Sequence, residues 1–390
     1  MKNFKKFVSL ALVAVMAASC LTACGGKETQ SSESGGDTFK IGGIGPITGS
    51  TAVYGMAVKN GAELAVKEIN EAGGINGKQV EFQFEDDEND AEKSVNAYNT
   101  LKDWGAQMIL GSVTSTPCIA VAEETHNDNM FQLTPSGTAV ECVQYDNAFR
   151  VCFSDPSQGV ESAQYIGENK LATKIAVIYD SSDTYSSGIY EAFAAEAKNQ
   201  GLEIVAAEAF TADNKTDFSV QLQKAKDAGA ELLFMPFYYQ EASLVLQQAK
   251  SMNFSPIFFG VDGMDGILNV ENFDASLADG VMFLAPFCPT SESEAISTFV
   301  STYEKEYGET PNQFAADAYD GIYILKQALE QMNATTDMSA SDICDGLKTA
   351  MTEITYSGVT SPEIKWSADG EPEKAPMVLQ IQDGAYVEMQ

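Results

Sequence analysis

The chain of 390 residues contains one histidine, His126, and 23 lysines and arginines against 56 acids. One imidazole is too few for the proton relays of most His-based enzymes or for ordinary zinc chemistry. A formal net charge of −33 repels phosphate backbones and anionic headgroups. Nucleic-acid binding and attachment to a membrane through a basic face are therefore excluded. There is no GxSxG turn, and Gly42 to Gly49 fits neither GxGxxG nor GxxxxGK[ST], so a nucleophile elbow and the common phosphate cradles are missing. What is present is a globular composition, 44% hydrophobic and 20% charged. At roughly 150 residues per domain the length favours two or three domains with large cores.

The amino terminus reads as a targeting segment. Lys2, Lys5 and Lys6 precede an apolar stretch from Phe7 to Ala18, about a dozen residues where a span needs ~20. Leu21-Thr22-Ala23-Cys24-Gly25 resembles the bacterial lipobox, in which the cysteine is acylated and becomes the new terminus. Residues 1–23 are then a lipoprotein signal peptide and Cys24 is the lipidation site. The Gly/Ser/Glu-rich stretch 24–37 is a flexible tether. A plain secretory signal is the alternative reading. Cleavage removes three lysines and no acids, so the mature protein is more acidic still.

Of seven cysteines, Cys20 leaves with the signal and Cys24 takes lipid, so 118, 142, 152, 288 and 344 remain. Cys142 and Cys152 flank the turn-like Gln144-Tyr145-Asp146-Asn147. A cross-hairpin disulfide and free thiols both stand there, and the other three read as buried thiols. None has zinc spacing. The run Glu85 to Asp90 lacks the glycine and terminal glutamate of a calcium loop and reads as a solvated turn. No metal or cofactor site is expected.

Along the body, apolar strands alternate with helices. Strands are expected at 39–44, 79–84, 107–110 and 130–133, with helices at 57–70, 90–103 and 117–127 between or after them. A second series has strands at 175–179, 203–209, 232–235 and 257–259, and helices at 187–199, 218–228 and 242–252. Helices at 292–307, 312–332 and 339–351 follow, then strands and turns around Gly370. Continuous apolar strands between helices argue for parallel sheets covered on both faces. Ligands in such sheets bind at strand-to-helix turns, beside helix amino termini. Several of those turns are rich in hydroxyls and small residues.

In order, they run through Ile41-Gly42 to Gly49, Tyr54-Gly55, Ile69 to Gly77 (INEAGGING), Gly111-Ser112 to Ser115, Thr134-Pro135-Ser136-Gly137-Thr138 and Tyr185. Phe237-Tyr238-Tyr239, Gly260-Val261-Asp262-Gly263 and Phe314-Ala315-Ala316-Asp317-Ala318-Tyr319-Asp320 complete the series. This ordered set resembles the leucine/isoleucine/valine-binding protein family, the extracytoplasmic amino-acid receptors of bacterial ABC transporters, across residues 38–390. The resemblance implies an α/β, two-lobed type I periplasmic-binding-protein clamshell. Each lobe would be a mostly parallel sheet flanked by helices, with three hinge crossings between them. Lobe 1 would comprise 38–155 and 287–357, and lobe 2 156–286 and 358–390.

The same resemblance places the ligand carboxylate on Ser115, Ser136 and Thr138, the α-ammonium on Asp262, and the framing aromatics at Tyr54, Tyr185 and Tyr238. Asp262 stands where the branched-chain receptor has the longer glutamate, and Ser136 where it has alanine, which makes the pocket more polar. The chemistry of these residue types agrees. Carboxylates suit donors at a helix start, and ammonium groups suit a carboxylate acceptor backed by aromatic faces. From spacing alone, Ser115 and Thr138 also fit helix caps, Asp262 a solvated turn, and the tyrosines plain packing; Tyr239 reads as packing.

The implied function is a monomeric, lipid-anchored binding protein on the outer face of the cytoplasmic membrane. It would be no enzyme, and it would hand a free amino acid to an ABC permease. A receptor for an amide, urea or aromatic acid, a ligand sensor, and a lipid-anchored hydrolase are the alternatives.

Overall fold

The computed structural model describes residues 38–389. The expected signal peptide (1–23), lipidation site Cys24 and tether (24–37) lie outside the described residues.

The first half is built on β1 (Thr38–Gly45), α1 (Ala52–Glu71), β2 (Gln79–Asp86), α2 (Ala91–Trp104), β3 (Met108–Leu110), α3 (Ser115–Asp128), β4 (Phe131–Thr134) and β5 (Ala148–Arg150). The strands form an all-parallel sheet in the order β2-β1-β3-β4-β5. β3, β4 and β5 are buried along their whole length, as a sheet with helices on both faces requires. Local signals fix the helices. Asp90 caps α2 by accepting from Lys93 N at 2.9 Å, and Gly105 ends it in the left-handed region at φ 93°.

The second half contains α4 (Asp155–Glu168), β6 (Lys174–Asp180), α5 (Thr184–Asn199), β7 (Glu203–Phe210), α6 (Ser219–Asp227), β8 (Leu232–Met235), α7 (Tyr239–Ser251), β9 (Ile257–Gly260) and β10 (Met282–Ala285). These strands join two late ones, β11 (Met377–Gln382) and β12 (Ala385–Glu388), in the order β12-β11-β10-β9-β8-β6-β7. Only the pairs involving β11 are antiparallel. Between them in sequence, α8 (Glu294–Tyr307), α9 (Gln313–Gln331) and α10 (Ala340–Glu353) return to the first sheet.

The chain thus passes between the two sheets three times: after β5, after β10 and before β11. The last passage lies beyond Lys374, not at 358. Residues 356–374 stay on the first sheet, where Arg150 N donates to Gly370 O (3.1 Å) and Trp366 Nε1 to Arg150 O (2.7 Å). The Lys374 side chain is fully buried there and bonds Asp317 at 2.7 Å, Thr360 Oγ1 at 2.8 Å and Val151 O at 3.2 Å. One ammonium so ties the first and third passages to α9.

One alternative left open by the sequence is settled, and one expectation needs correction. The five body cysteines are free and buried. Cys142 Sγ faces Ser115 O (3.7 Å) and Cys152 Sγ faces Gly137 O (3.6 Å), so no cross-hairpin disulfide forms. The acidic run at 85–90 forms the expected strand-to-helix turn but is only partly solvated. Asp87 is fully buried and accepts from Ser112 Oγ, while Asp86 accepts from Ile47 N (3.0 Å) and Thr48 Oγ1 (2.6 Å). No helix among the described residues is long and apolar enough to cross a membrane.

Candidate functional site

Strand-to-helix turns of both halves converge on one small, tightly closed cavity. All seven sequence-derived site residues, Tyr54, Ser115, Ser136, Thr138, Tyr185, Tyr238 and Asp262, line it. Val113, Thr114, Gly263 and Phe314 complete the wall. Phe314 carries the clearest signal that sequence reasoning passed over, since it opens the Phe-Ala-Ala-Asp motif at the start of α9.

On the first-sheet side, the chain leaves β3 extended at Thr114 and turns into α3 at Ser115. The opening N–H groups of a helix have no intrahelical acceptor, and their positive end attracts anions. The neighbouring turn is braced from behind by Arg150, a fully buried guanidinium. It donates to the carbonyls of Gly137 (3.0 Å), Thr138 (2.6 Å) and Ala139 (3.0 Å), and pairs with Glu371 at 3.0 Å. Ser115 Oγ accepts from Ala139 N at 3.2 Å, which locks helix start to turn and leaves its own hydrogen free to donate. Thr138 Oγ1 is buried without a partner. Ser136 departs from expectation: its hydroxyl donates to Val113 O at 2.7 Å, so it serves the backbone and has no proton left for a ligand carboxylate.

On the second-sheet side, Asp262 follows β9 in a short 3-10 turn and is only 5% exposed. Tyr185, in the first turn of α5, donates to Asp262 Oδ1 at 2.6 Å, and Gly263 N reaches the same oxygen at 2.8 Å. Gln158 Oε1 accepts from Asp262 N at 3.0 Å. No cationic side chain pairs with this carboxylate among the described residues. Burial accordingly pushes its pKa up to about 6, and its hydrogen bonds only partly offset that rise.

Aromatic rings enclose the space between. Tyr185 and Tyr238 stack at 4.9 Å, and Tyr54 packs on Phe314 at 4.2 Å and edge-on to Tyr238 at 5.6 Å. Tyr238, not Tyr239, lines the cavity; Tyr239 packs against Tyr54 at 4.9 Å. The two halves are in direct contact here. Tyr54 Oη donates to Gly263 O at 2.5 Å and accepts from Tyr239 N at 3.3 Å. Gln313 Nε2 donates to Asp262 O at 2.5 Å, and Gln313 N to Asp265 Oδ2 at 2.8 Å.

The arrangement therefore offers donors at one end, an uncompensated acid at the other and aromatic walls between. That suits a small zwitterion. A larger cavity beside Met56 and Tyr303 is lined by none of these seven residues. His126 is exposed near the end of α3, stacked on Tyr145 at 4.2 Å, and does not line the cavity.

The profile of the periplasmic binding protein family matches residues 38–385. The chain belongs to that family. It is 30% identical over 345 residues to the Leu/Ile/Val-binding protein homolog 3 of Brucella melitensis, covering 85% of this chain and 92% of that protein. The leucine-, isoleucine-, valine-, threonine- and alanine-binding protein of Pseudomonas aeruginosa is 27% identical, over 76% and 79%. Among solved structures, the branched-chain amino acid transporter substrate binding protein LivJ of Streptococcus pneumoniae, in complex with isoleucine, superposes with a TM-score of 0.81. It is 30% identical, and the match covers 90% of this chain and all of that one. A Rhodopseudomonas palustris solute binding protein in complex with benzoate has the same fold, with a TM-score of 0.79 at 18% identity over 90% and 95%. The two-lobed clamshell is thus the fold of this periplasmic binding protein, its lobes being the two halves described above.

Proposed function

We propose that this periplasmic binding protein captures a free amino acid, of the branched-chain type, between its lobes and delivers it to an ABC importer. The observation that carries the reading is Asp262, a buried carboxylate with a tyrosine donor and no cationic partner among the described residues, set opposite the helix start at Ser115. A free ammonium group supplies the missing charge, and the helix start and the Ser115 hydroxyl supply donors for the carboxylate. The isoleucine held by the Streptococcus relative supports the branched-chain class. A solute without an ammonium, such as benzoate, leaves Asp262 unpaired. The protein acts by binding alone, as a monomer, and Cys24 with its acyl chains and the 24–37 tether hold it outside the cell beside the permease. Each buried CH₂ of an acyl chain contributes ~0.8 kcal/mol, so two or more chains suffice.

Replacing Asp262 tests this directly. Asp262→Ala is expected to lower isoleucine affinity about a hundredfold in calorimetry, roughly 2.7 kcal/mol, with the circular dichroism spectrum unchanged. Near-native affinity in that variant removes the ammonium assignment.

A further inference from the structure

Gln313 is the first residue of α9 and is only 2% exposed, yet it does not line the ligand cavity. It belongs to the first sheet, because α9 packs on α1 and β3. Both of its donor groups nevertheless bond the other lobe, at the turn that carries Asp262. Gln313 Nε2 donates to Asp262 O at 2.5 Å, and Gln313 N donates to Asp265 Oδ2 at 2.8 Å. Capping within α9 accounts for neither bond, since Asn312 fills that role by accepting from Ala315 N at 3.2 Å. The N–H of a helix's first residue has no acceptor in its own helix. Here a carboxylate from the opposite lobe takes it, at the end of the helix that favours an anion.

Asp262 is thus engaged twice: its carboxylate faces the cavity, and its carbonyl is held by Gln313. The residue after Gln313 is Phe314, which forms cavity wall and packs on Tyr54 at 4.2 Å. Separating the lobes breaks both Gln313 bonds. Re-forming them requires the turn to return to the place where its carboxylate meets the ligand. Ligand and Gln313 therefore select one position of one turn.

We propose that Gln313 is a positioning residue that couples ligand capture to lobe closure, its side-chain and backbone bonds to the 262–265 turn forming on closure and holding the loaded receptor shut. This rests on the reading of capture between the lobes and not on which solute is captured. Gln313 touches no ligand, so its contribution is the same for every solute that the cavity accepts.

Hydrogen exchange of the wild-type full chain tests the premise. The Gln313 amide should exchange about tenfold or more slowly once L-isoleucine is bound; equal protection with and without it overturns the proposal. Calorimetry and stopped-flow tyrosine fluorescence then compare two variants with wild type, using L-isoleucine, L-leucine and L-valine. Gln313→Met keeps the volume and removes only the side-chain donor. Gln313→Pro removes both donors, and proline is tolerated at a first helical position that follows an extended residue, as Asn312 is at φ −95° and ψ 179°. Gln313→Met is expected to weaken all three amino acids by one common factor of about threefold to tenfold, and Gln313→Pro by about thirtyfold or more. The loss should lie in a faster dissociation rate. Unchanged affinity, or losses that differ from one amino acid to the next, overturn the proposal, as does a lower melting temperature at unchanged dissociation rate. Should the variants fail to fold, the exchange measurement on wild type decides alone. If wild type binds none of the three amino acids, the amino-acid reading falls, and the same series with benzoate tests Gln313.

Discussion

Tyr54 shows how much one side chain can carry in this fold. Its hydroxyl meets Gly263 O and Tyr239 N across the cleft, while its ring contacts Phe314, Tyr238 and Tyr239. Tyr54→Phe keeps the ring and removes both bonds, which together are worth about 1–2 kcal/mol. Affinity is expected to fall roughly tenfold by calorimetry, with a slower approach to the closed state in stopped-flow tyrosine fluorescence. At this scale the residue types of the site were legible in the sequence and the directions of their polar atoms were not. Ser136 shares its turn with Thr138, yet its hydroxyl points to Val113 O. Gln313 sits in a stretch that reads as an ordinary helix start, and only its bonds to the other lobe distinguish it.

Among elements, helices with a strong apolar period were legible to within a few residues, and α4 was missed. Gly159 and Gly167 lower its helix propensity in any local reading. Tertiary packing explains the first of them: a Cβ on Gly159 would sit 2.5 Å from Ile189 O and 2.6 Å from Phe193 N, where α4 meets α5. The first turn of α1 was missed for the same reason, since a Cβ on Gly55 would come within 2.0 Å of Pro46 O. Such contacts join distant segments, so a local window cannot contain them. Gly159→Ala is expected to cost about 1–3 kcal/mol of stability, read as a lower urea midpoint at unchanged slope. Strands β5 and β10 also escaped notice; β5 is only three residues and ends on Arg150, whereas β10 (Met282–Ala285) is as short and as apolar as β8, which was found.

Over the whole molecule, two lobes close on buried acids. Asp262, Asp265, Asp317 and Asp183 each have burial as the main cause of a pKa near 6. For binding, the sign follows from Asp262 at about 6. The carboxylate is charged above that pH and neutral below it, and only the charged form attracts an ammonium. Affinity should therefore drop about tenfold from pH 7 to pH 5, measured by calorimetry at fixed ionic strength. For the unliganded fold the sign is opposite. A raised folded-state pKa means that stability falls as pH climbs from about 4 to about 6, so ligand-induced gains in melting temperature should grow over the same window. The two-lobed architecture was legible because the ordered turns pointed to a family. The third crossing was misplaced because residues 356–374 have no regular period, and their attachment to Arg150 and Asp317 depends on single side chains.

Everything proposed for the cavity turns on recognition of an amino acid through its ammonium group. Its most direct test is titration of the full chain, refolded to remove co-purified solutes, with L-isoleucine, L-leucine and L-valine beside their des-amino acids and benzoate. One site per chain is expected, with affinity near or below micromolar (about −8 kcal/mol) for at least one amino acid and its des-amino analogue weaker by a hundredfold or more. Binding of benzoate or a des-amino acid as tightly as any amino acid would contradict it.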